Sequence, residues 1–435
     1  MTFARTSRPW RCALAWLALL GPFFYASYGL ANHLAAARAQ VPTIVYDWER
    51  HIPFWDWTIF PYWSINAFYA LSLLLAATRH ELDRHAARLL TAQIVAVACF
   101  IAWPLRFSFG APEAHGAAAF LFDALRAFDA PYNQAPSLHI ALALILWDFY
   151  RRRVHGTVAR GVLHLWTFAI CASVLTTYQH HAIDIPTGAL LGLLCVWAWP
   201  LERRVSMARA AALTADPRRR ALALRYGAGA LALAVIGVAL GGLGLLLLWP
   251  AVSLLLVALN YLVFGARGFG MDRHGRMPWV TRVLLAPYRL GATINAHLWN
   301  RGQPLLREVV PGVAVGGLPR LPREAGTAVV SLCAELQAPA AEHTRCLPWL
   351  DLVPAAPAAL QRAADAIELA VRRGGPVRVA CALGYSRSAA ALACWLARSG
   401  RAIDADDALA RLHRAHPRMV LGDDWRAALR AAVAR

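Results

Sequence analysis

The sequence predicts two parts: an all-α polytopic bundle of membrane-spanning helices, followed by an α/β domain built on a small, mainly parallel sheet. Of the 435 residues, 59% are hydrophobic and only 16% are charged, and the long apolar runs lie before residue 267. After residue 303, β-rich runs at 313–315, 329–332 and 377–379 alternate with helical patterns near 356–373, 388–399, 403–415 and 422–434, an order typical of an α/β layer. The chain is long enough for more than one domain.

Eight apolar segments are long enough, or nearly long enough, to cross a bilayer. They cover about residues 12–30, 58–77, 89–105, 137–150, 161–178, 184–200, 227–248 and 251–266, and the fourth, sixth and eighth are short. The first is interpreted as a retained membrane helix, because so many spans follow it.

Four regions follow from this division. We predict a six-helix membrane domain over 12–200, a basic linker with two further spans over 201–266, an amphipathic juxtamembrane segment over 267–302 and the α/β domain over 303–435. The juxtamembrane segment places arginines among apolar residues, as a helix lying on anionic lipid does. Residues 31–57 are rich in tryptophan and acid, which indicates an interfacial aromatic belt.

Arginine alone supplies the 44 basic residues behind the net charge of +19. Because the arginines cluster beside apolar runs, they favour orientation in a membrane over nucleic-acid binding. Alternate connections hold Arg5, Arg8, Arg11, Arg79, Arg84, Arg88, Arg151, Arg152, Arg153, Arg160, Arg203, Arg204, Arg209, Arg218, Arg219, Arg220 and Arg225; the others hold Arg38, Arg50, Arg106 and Arg126. This bias predicts a bacterial-type inner-membrane protein whose N-terminus and C-terminal domain are cytoplasmic.

Eight cysteines without a repeating spacing argue against a disulfide framework. Cys333, Cys346 and Cys394 are interpreted as packing residues. No cluster with the spacing of metal ligands is present in the sequence, so neither a metal nor another cofactor is expected.

One cysteine lies in a loop suited to phosphate chemistry. A β-rich run ends at Cys381, a glycine-containing loop follows, and Arg387 and Ser388 open an alanine-rich helix. Backbone N–H groups around Gly384 and Ser386, with those of the helix N-terminus, converge where a phosphate could bind. That field favours a thiolate at Cys381, Arg387 offers a planar fork for two phosphate oxygens, and Ser388 can hydrogen-bond the departing thiolate. The structural alternative is a buried cysteine beside a surface arginine.

The C-x5-R-S spacing resembles the signature loop of the cysteine-dependent phosphatases, the dual-specificity branch in particular. The resemblance implies a general acid roughly thirty residues before the cysteine. The stretch Pro348-Trp349-Leu350-Asp351 is similar to the family's acid loop, so Asp351 is the candidate acid and then base; the alternative is a surface aspartate beside a helix. The family usually has histidine directly before the cysteine. Here that residue is Ala380, a departure that implies slower catalysis with the nucleophile retained.

Two further motifs stand at predicted helix ends in the membrane part. His139 follows Pro136-Ser137-Leu138 before the fourth span, and His180 and Asp184 join the fifth span to the sixth. In phosphoryl transfer His180 would attack phosphorus, Asp184 would orient its imidazole and His139 would protonate the departing oxygen. Ionisable residues near a bilayer boundary are functional candidates; the alternative is that both histidines are structural.

These motifs resemble the type-2 phosphatidic acid phosphatase superfamily over about residues 12–200. The Q-H-[HY]-x-x-D pattern is closest to the branch with inositol-phosphorylceramide and sphingomyelin synthases. The superfamily's K-x6-R-P motif is absent, and Arg106 in Trp103-Pro104-Leu105-Arg106 is the nearest phosphate-binding candidate. The arginine expected after Ser173 is Val174.

Three functional classes follow. The first is a bifunctional membrane phosphatase acting on lipid phosphates, with the histidine site periplasmic and the cysteine site cytoplasmic. The second is a membrane-tethered tyrosine or dual-specificity protein phosphatase whose membrane part is a lipid head-group phosphotransferase or an anchor. The third is an inactive membrane sensor. Membrane lipids, and a lipid-phosphate or phosphoprotein substrate, are the expected partners. The sequence leaves open the lipid, the acceptor and the oligomeric state.

Overall fold

The structure is a computed structural model that describes residues 8–110, 112–202, 212–339, 341 and 343–434. Arg5, Arg203, Arg204 and Arg209, and with them part of the predicted linker, lie outside the described residues. Within the described residues, five helices are long and apolar enough to cross a membrane, namely Trp10–Ala36, Arg79–Ala102, Thr157–Thr176, Pro217–Leu240 and Gly242–Phe269. Leu138–Tyr150 and Asp184–Ala198 are apolar but shorter. The chain therefore has the helices of a membrane protein, with five candidate spans in place of the eight predicted.

Seven helices form the first part of the chain. They are α1 (Trp10–Ala36), α2 (Ile59–Leu74), α3 (Arg79–Ala102), α4 (Gly116–Arg126), α5 (Leu138–Tyr150), α6 (Thr157–Thr176) and α7 (Asp184–Ala198). Two short 3-10 turns, Asp47–His51 and Asp56–Thr58, interrupt the segment before α2. The predicted aromatic segment therefore contains the end of α1 and these turns.

Helix α3 begins ten residues before the predicted third span. Helix α3 begins at Arg79 because the Thr78 hydroxyl accepts the Glu81 N–H, and the Glu81 carboxylate accepts the Ala77 N–H, a reciprocal cap. Arg88, assigned to a connection by sequence, is thus helical and fully buried. It lies 2.9 Å from Asp148, which makes it a packed ion pair of the bundle.

Other connection arginines are helical as well. Arg79 and Arg84 lie in α3, and four more, Arg218, Arg219, Arg220 and Arg225, lie in α8 (Pro217–Leu240). The reason is the same in both places: the helix continues beyond its apolar run into a polar first turn. The arginine bias is therefore carried partly by helix ends rather than by loops.

Two glycines allow α5 and α7 to approach closely. A Cβ at Gly188 would lie 2.4 Å from the Ser137 carbonyl oxygen, and a Cβ at Gly192 would lie 2.8 Å from that of Ala141. The Ser137 N–H also donates to the Asp184 carbonyl at 3.2 Å. This contact brings the N-terminal ends of both helices together.

Contacts divide the chain into two compact units. The first is Met1–Ser206 with Ile236–Leu247, and the second is Met207–Val235 with Leu248–Arg435. In the second unit, α8 is followed by α9 (Leu248–Leu259), a π-helical turn (Asn260–Phe264), a 3-10 turn (Gly265–Phe269), α10 (Trp279–Leu284) and α11 (Ala286–Trp299). The predicted amphipathic segment thus contains two short helices.

A five-stranded mixed sheet forms the centre of the C-terminal domain. Its strands are β1 (Leu306–Val310), β2 (Val313–Gly317), β3 (Ala328–Cys333), β4 (His343–Trp349) and β5 (Val377–Cys381), in the order β1-β2-β5-β3-β4. Only β1 is antiparallel to its neighbour. Strand β5 is central and carries buried valines, as a strand covered on both faces does.

Four helices complete this domain: α12 (Pro357–Arg372), α13 (Arg387–Arg398), α14 (Ala405–Ala415) and α15 (Asp423–Val433). Ten of the twelve residues of α13 are buried, and its alanines allow the neighbouring helices to pack closely around it. Leu392 and Trp395 join the hydrophobic core against α12 and the sheet. The helix that follows the cysteine loop is therefore held on nearly every side.

Candidate active sites

The cysteine loop lies at the carboxyl end of the central strand. Cys381 is the last residue of β5, which pairs in parallel with β2 on one side and β3 on the other. Ligands of open α/β sheets bind beyond the carboxyl ends of their strands. After five residues the chain enters α13 at Arg387, so the loop joins a strand end directly to a helix N-terminus.

Loop carbonyls are bound from outside the loop. The Leu383 carbonyl accepts from the Asn300 amide at 3.3 Å, the Gly384 carbonyl contacts His416 Nε2 at 3.1 Å, and the Tyr385 carbonyl accepts the Val420 N–H at 3.0 Å. Because a trans peptide points its N–H opposite to its carbonyl, these bonds turn successive N–H groups inward. Such an arrangement of N–H groups is the geometry that an anion cradle requires.

Gly384 is required where the loop crosses the end of β2. Its φ is +91°, and a Cβ there would lie 2.9 Å from the carbonyl carbon of Gly316. Any other residue would combine a left-handed backbone with a backbone clash. Glycine at this position therefore lets the loop close around Cys381.

The thiol of Cys381 is buried and contacted by two groups of the loop and helix. Its sulfur accepts the Gly384 N–H at 3.2 Å and lies 3.3 Å from the Ser388 hydroxyl. Three of the predicted residues are therefore together, and Ser388 is placed to stabilise sulfur as it leaves.

Arg387 is fixed by an acid that sequence reasoning missed. Its guanidinium makes two bonds to the Glu335 carboxylate, at 2.9 and 2.6 Å, and one to the Trp349 carbonyl at 3.0 Å. Both side chains are buried. Although burial raises the pKa of Glu335, Arg387 holds it below its usual value. The one available signal was position, because Glu335 follows β3 at the same sheet edge as Cys381.

Asp351 lies next to Arg387, as a phosphate-site acid must. One of its carboxylate oxygens is 3.0 Å from Arg387 Nη2, and the side chain is 34% exposed. Burial raises the pKa of Asp351 above its usual value, and the neighbouring Arg387 offsets only part of that rise. A carboxyl that keeps its proton to higher pH suits a general acid. In addition, the Tyr261 hydroxyl donates to the Asp351 carbonyl at 3.0 Å.

His416 holds the loop in this protein, whereas position 380, where the resembled family usually has histidine, is alanine. It follows α14, is buried, and contacts the Gly384 carbonyl. Burial lowers the pKa of His416, so at neutral pH a neutral ring donates from Nε2. Ala380 is fully buried in β5. The histidine lies far away in sequence, which explains why the motif alone did not reveal it.

The C-terminal domain has three further cysteines, Cys333, Cys346 and Cys394, and none of them lies in the loop between β5 and α13. All eight cysteines of the chain are free. Burial raises the pKa of Cys346 and Cys394 to about 11, and raises that of Cys333 as well. Such thiols stay protonated and pack as small apolar groups.

Comparison with known proteins gives matches among solved structures. No protein-family model matches the chain, and no curated protein does. Human DUSP28 is similar at 27% identity over 30% of this chain and 93% of that chain, with a TM-score of 0.25. A mouse putative dual specificity phosphatase, solved with zinc tungstate, is similar at 26% identity over 30% and 87%, with a TM-score of 0.27. PTPMT1, solved in complex with PI(5)P, shares 14% identity over 30% and 95%, with a TM-score of 0.25. TM-scores this low support no argument about function. The functional argument depends on the geometry of the site itself.

In the membrane part, the close contact of α5 and α7 positions the second site. Asp184 opens α7, and one of its carboxylate oxygens lies 3.1 Å from His180 Nδ1. The same oxygen accepts the His181 N–H at 3.0 Å. The contact between Asp184 and His180 Nδ1 orients the imidazole of His180. A nucleophilic histidine requires an orienting carboxylate of this kind.

His139 and His180 line one cavity of about 240 Å³. His139 stacks on Tyr62 with ring centroids 4.0 Å apart, and its buried Nε2 has no hydrogen-bond partner within the part of the chain that the structure describes. Asp129, missed by sequence reasoning, lines the cavity too and accepts from the Tyr28 hydroxyl at 3.3 Å. The structure thus brings the two predicted histidines to a shared space with an additional carboxyl.

Arg106 is placed differently from expectation. It is exposed, its N–H donates to the Pro42 carbonyl, and among the described residues it is not one that lines this cavity. Its phosphate-binding role therefore stays a prediction. His181 instead contacts Glu49 at 2.8 Å, and Glu49 is buried rather than part of a solvated acidic belt.

Neither site contains an obvious metal centre. Across the described ranges, no group of three or more His, Cys, Asp or Glu side chains is arranged to hold a metal ion.

Proposed function

We propose that this protein is an integral-membrane bifunctional phosphatase that hydrolyses phosphate esters, with lipid phosphates as the favoured substrates. The observation that carries the proposal is the arrangement around Cys381. Its sulfur lies within hydrogen-bonding distance of the Gly384 N–H and the Ser388 hydroxyl, in a strand–loop–helix cradle that ends at Arg387. This combination supplies a nucleophile, an anion site and a cation together.

The cysteine site supports a two-step reaction. In the first step the Cys381 thiolate attacks phosphorus, the S–P bond forms, the P–O bond to the alcohol breaks, and Asp351 gives its proton to the departing oxygen. In the second step water attacks phosphorus, Asp351 takes the water's proton, and the S–P bond breaks to release inorganic phosphate and the thiolate. Ser388 can hydrogen-bond the sulfur as it leaves.

Glu335 supports this reaction by holding Arg387 in one plane. A guanidinium fixed by a bidentate carboxylate loses little freedom when it binds phosphate. The contact between Asp351 and Arg387 must open when a phosphate dianion enters, which frees the acid to reach the leaving oxygen. We propose that Asp351 loses its ion pair with Arg387 when it moves to its catalytic position.

The membrane site supports a second phosphoryl transfer. His180 would form the bond to phosphorus while Asp184 stabilises its imidazolium, and His139 would protonate the departing oxygen. Water or an alcohol would then take the phosphoryl group from His180. Support comes from the 3.1 Å contact between His180 and Asp184 and from the cavity that both histidines line.

The arginine bias supports opposite faces for the two sites. With the N-terminus and the C-terminal domain cytoplasmic, the histidine site would face the periplasm of an inner membrane. We infer that each site handles a phosphate at its own leaflet, and that no substrate passes directly from one to the other.

A membrane-tethered protein phosphatase is the competing function. The Cys381 loop serves it equally well, because the chemistry of a phosphotyrosine ester is the same. The two are distinguished by comparing wild type, Cys381→Ser and His180→Ala on phosphatidic acid, phosphatidylglycerol phosphate and a phosphotyrosine peptide. Loss of peptide turnover alone in Cys381→Ser, with both lipids unaffected, would favour the protein phosphatase. Full activity of both variants would show that neither site works.

A further inference from the structure

A cavity of about 380 Å³ lies beside the cysteine site, with the candidate acid Asp351 among its lining residues. Glu335, Asp351 and Leu383 line it from the catalytic domain. The facing wall contains Leu254 and Tyr288 among other residues of α8, α9 and α11. An alcohol released from phosphorus would therefore face these helices rather than open water.

This wall belongs to segments with the composition of membrane helices. Tyr226 lies in α8, one candidate span, and Pro250 and Leu254 lie in the candidate span Gly242–Phe269. The acid loop with Asp351 is hydrogen-bonded to the candidate span Gly242–Phe269, because the hydroxyl of Tyr261 in that span donates to the Asp351 carbonyl. The Tyr261 carbonyl in turn accepts from Arg219 of α8 at 2.9 Å. The acid loop and the apolar wall are thus parts of one hydrogen-bonded assembly.

Helix α11 has two faces with different surroundings. Leu290, Ile294 and Leu298 are 62%, 50% and 64% exposed, and their spacing of four residues puts them on one stripe. On another face, Gly291 and Asn295 line the cavity. A stripe of exposed leucine and isoleucine on a surface helix is typical of an interfacial helix with its apolar face in lipid.

Charge favours an anionic lipid as the partner of this stripe. Arg282 precedes α11 and Arg301 follows it, and both are exposed. Arginines beside an interfacial helix are attracted to the anionic cytoplasmic leaflet.

We propose that this cavity binds the alcohol part of a membrane lipid phosphate monoester, which enters from the bilayer past α11 and presents its phosphate to Cys381. The inference rests on the proposed function of the cysteine site and specifies its substrate class. Gly291 is the position that selects for it, because the absence of a side chain keeps the cavity open beside the stripe. A soluble aryl phosphate needs only the cradle around Cys381.

Substitution of Gly291 tests this directly. A Cβ at Gly291 would meet no atom within 4 Å, so Gly291→Trp fills the cavity without a backbone clash. The matched control is Ile403→Trp, which adds the same side chain at a position that is 88% exposed and lies outside both the cavity and the stripe. Full-length protein carrying His180→Ala, so that the membrane site contributes nothing, is assayed on phosphatidic acid in mixed micelles, on para-nitrophenyl phosphate and on a phosphotyrosine peptide.

The proposal expects Gly291→Trp to lower kcat/KM for phosphatidic acid by about tenfold or more, with para-nitrophenyl phosphate changed by less than about twofold. Ile403→Trp should leave both unchanged. The proposal is overturned if Gly291→Trp spares the lipid, if it lowers both substrates equally, or if the peptide is the better substrate. Failure of the proposed function itself is distinct: Cys381→Ser would then retain turnover of para-nitrophenyl phosphate.

Discussion

At the scale of single residues, the cysteine site depends on a buried charge pair. Arg387 and Glu335 are 1% and 3% exposed, and their bidentate contact compensates two charges that burial would otherwise penalise. Leaving one member of such a pair without its partner is strongly destabilising. The pair therefore links the stability of the domain to the geometry of its phosphate site.

Glu335→Gln should lower the free energy of unfolding of the domain by about 3 kcal/mol, because Arg387 would stay buried without its carboxylate. The control is Glu324→Gln, which removes an exposed pair with Arg378 and should cost less than about 1 kcal/mol. Denaturant unfolding followed by tryptophan fluorescence measures both. Equal costs for the two variants would show that the buried pair has no special role.

Asp351→Asn should change the dependence of rate on pH. Only protonated Asp351 donates, so turnover of an alkyl phosphate should fall as pH rises through its raised pKa. The variant should lose that limb and about a hundredfold in rate. A para-nitrophenyl ester, with its better leaving group, should be affected much less. An unchanged alkyl-phosphate profile would exclude Asp351 as the acid.

The raised pKa of Asp351 also determines whether its ionisation stabilises or destabilises the fold. A carboxyl whose pKa is raised on folding stabilises the fold most below its unfolded pKa, and that contribution is lost as pH rises through the folded value. At any pH above its folded pKa, the ionised Asp351 thus opposes folding. We expect Asp351→Asn to melt no lower than wild type there, so lost activity cannot be ascribed to unfolding.

Residue-scale prediction from sequence succeeded where contacts are local. Cys381, Arg387 and Ser388 lie within eight consecutive residues, and strand–loop–helix order alone brings them together. Glu335 and His416 act on the same loop from 52 and 32 residues away along the chain. Their contacts arise only from strand order and helix packing, which no local pattern encodes.

At the scale of elements, a strong hydrophobic periodicity predicted helices and strands well, whereas segments with a weak periodicity were missed. The predicted helices near 356–373, 388–399, 403–415 and 422–434 are present within two residues. Strands β1 and β4 were missed because β1 is a half-buried edge strand and β4 contains Pro348 and exposed positions. Without alternation or a continuous apolar run, such strands have little sequence signal.

The crossing of the cysteine loop over β2 gives a prediction at this scale. Gly384→Ala should abolish most activity, because its Cβ would press on Gly316 and displace the loop N–H groups. The control, Gly374→Ala, also has a positive φ (+81°), but no atom lies within 4 Å of its Cβ. Both variants should lose about 1 kcal/mol of stability or more from backbone strain. Only Gly384→Ala should lose turnover of para-nitrophenyl phosphate, and retained turnover would contradict the role given to this loop.

At the scale of the whole molecule, the sequence indicated a membrane protein, and the number of its spans stays a prediction. Five described helices have the length and composition to cross a bilayer, against eight predicted. Apolar composition identifies such segments, whereas caps such as Thr78 and buried pairs such as Arg88–Asp148 decide where they begin and end. The proposed topology therefore needs a direct test.

Accessibility to an impermeant thiol reagent on intact cells provides that test. Trp57 and Ile403 are 58% and 88% exposed, and each can be replaced by cysteine with little packing loss. Trp57→Cys should react in intact cells and Ile403→Cys only after lysis, because the arginine bias puts residues 31–57 outside and the C-terminal domain inside. Labelling of Ile403→Cys in intact cells would refute the orientation.

The central claim is that Cys381 is a phosphate-accepting nucleophile, and the most direct measurement is to trap the phosphorylated enzyme. Asp351→Asn slows the attack of water, whereas para-nitrophenolate leaves with little help from an acid. Protein quenched during turnover of para-nitrophenyl phosphate should therefore carry one phosphate on Cys381 by peptide mass spectrometry. Cys381→Ser should carry none. Continued turnover of the substrate with no phosphate ever found at Cys381 would contradict the account.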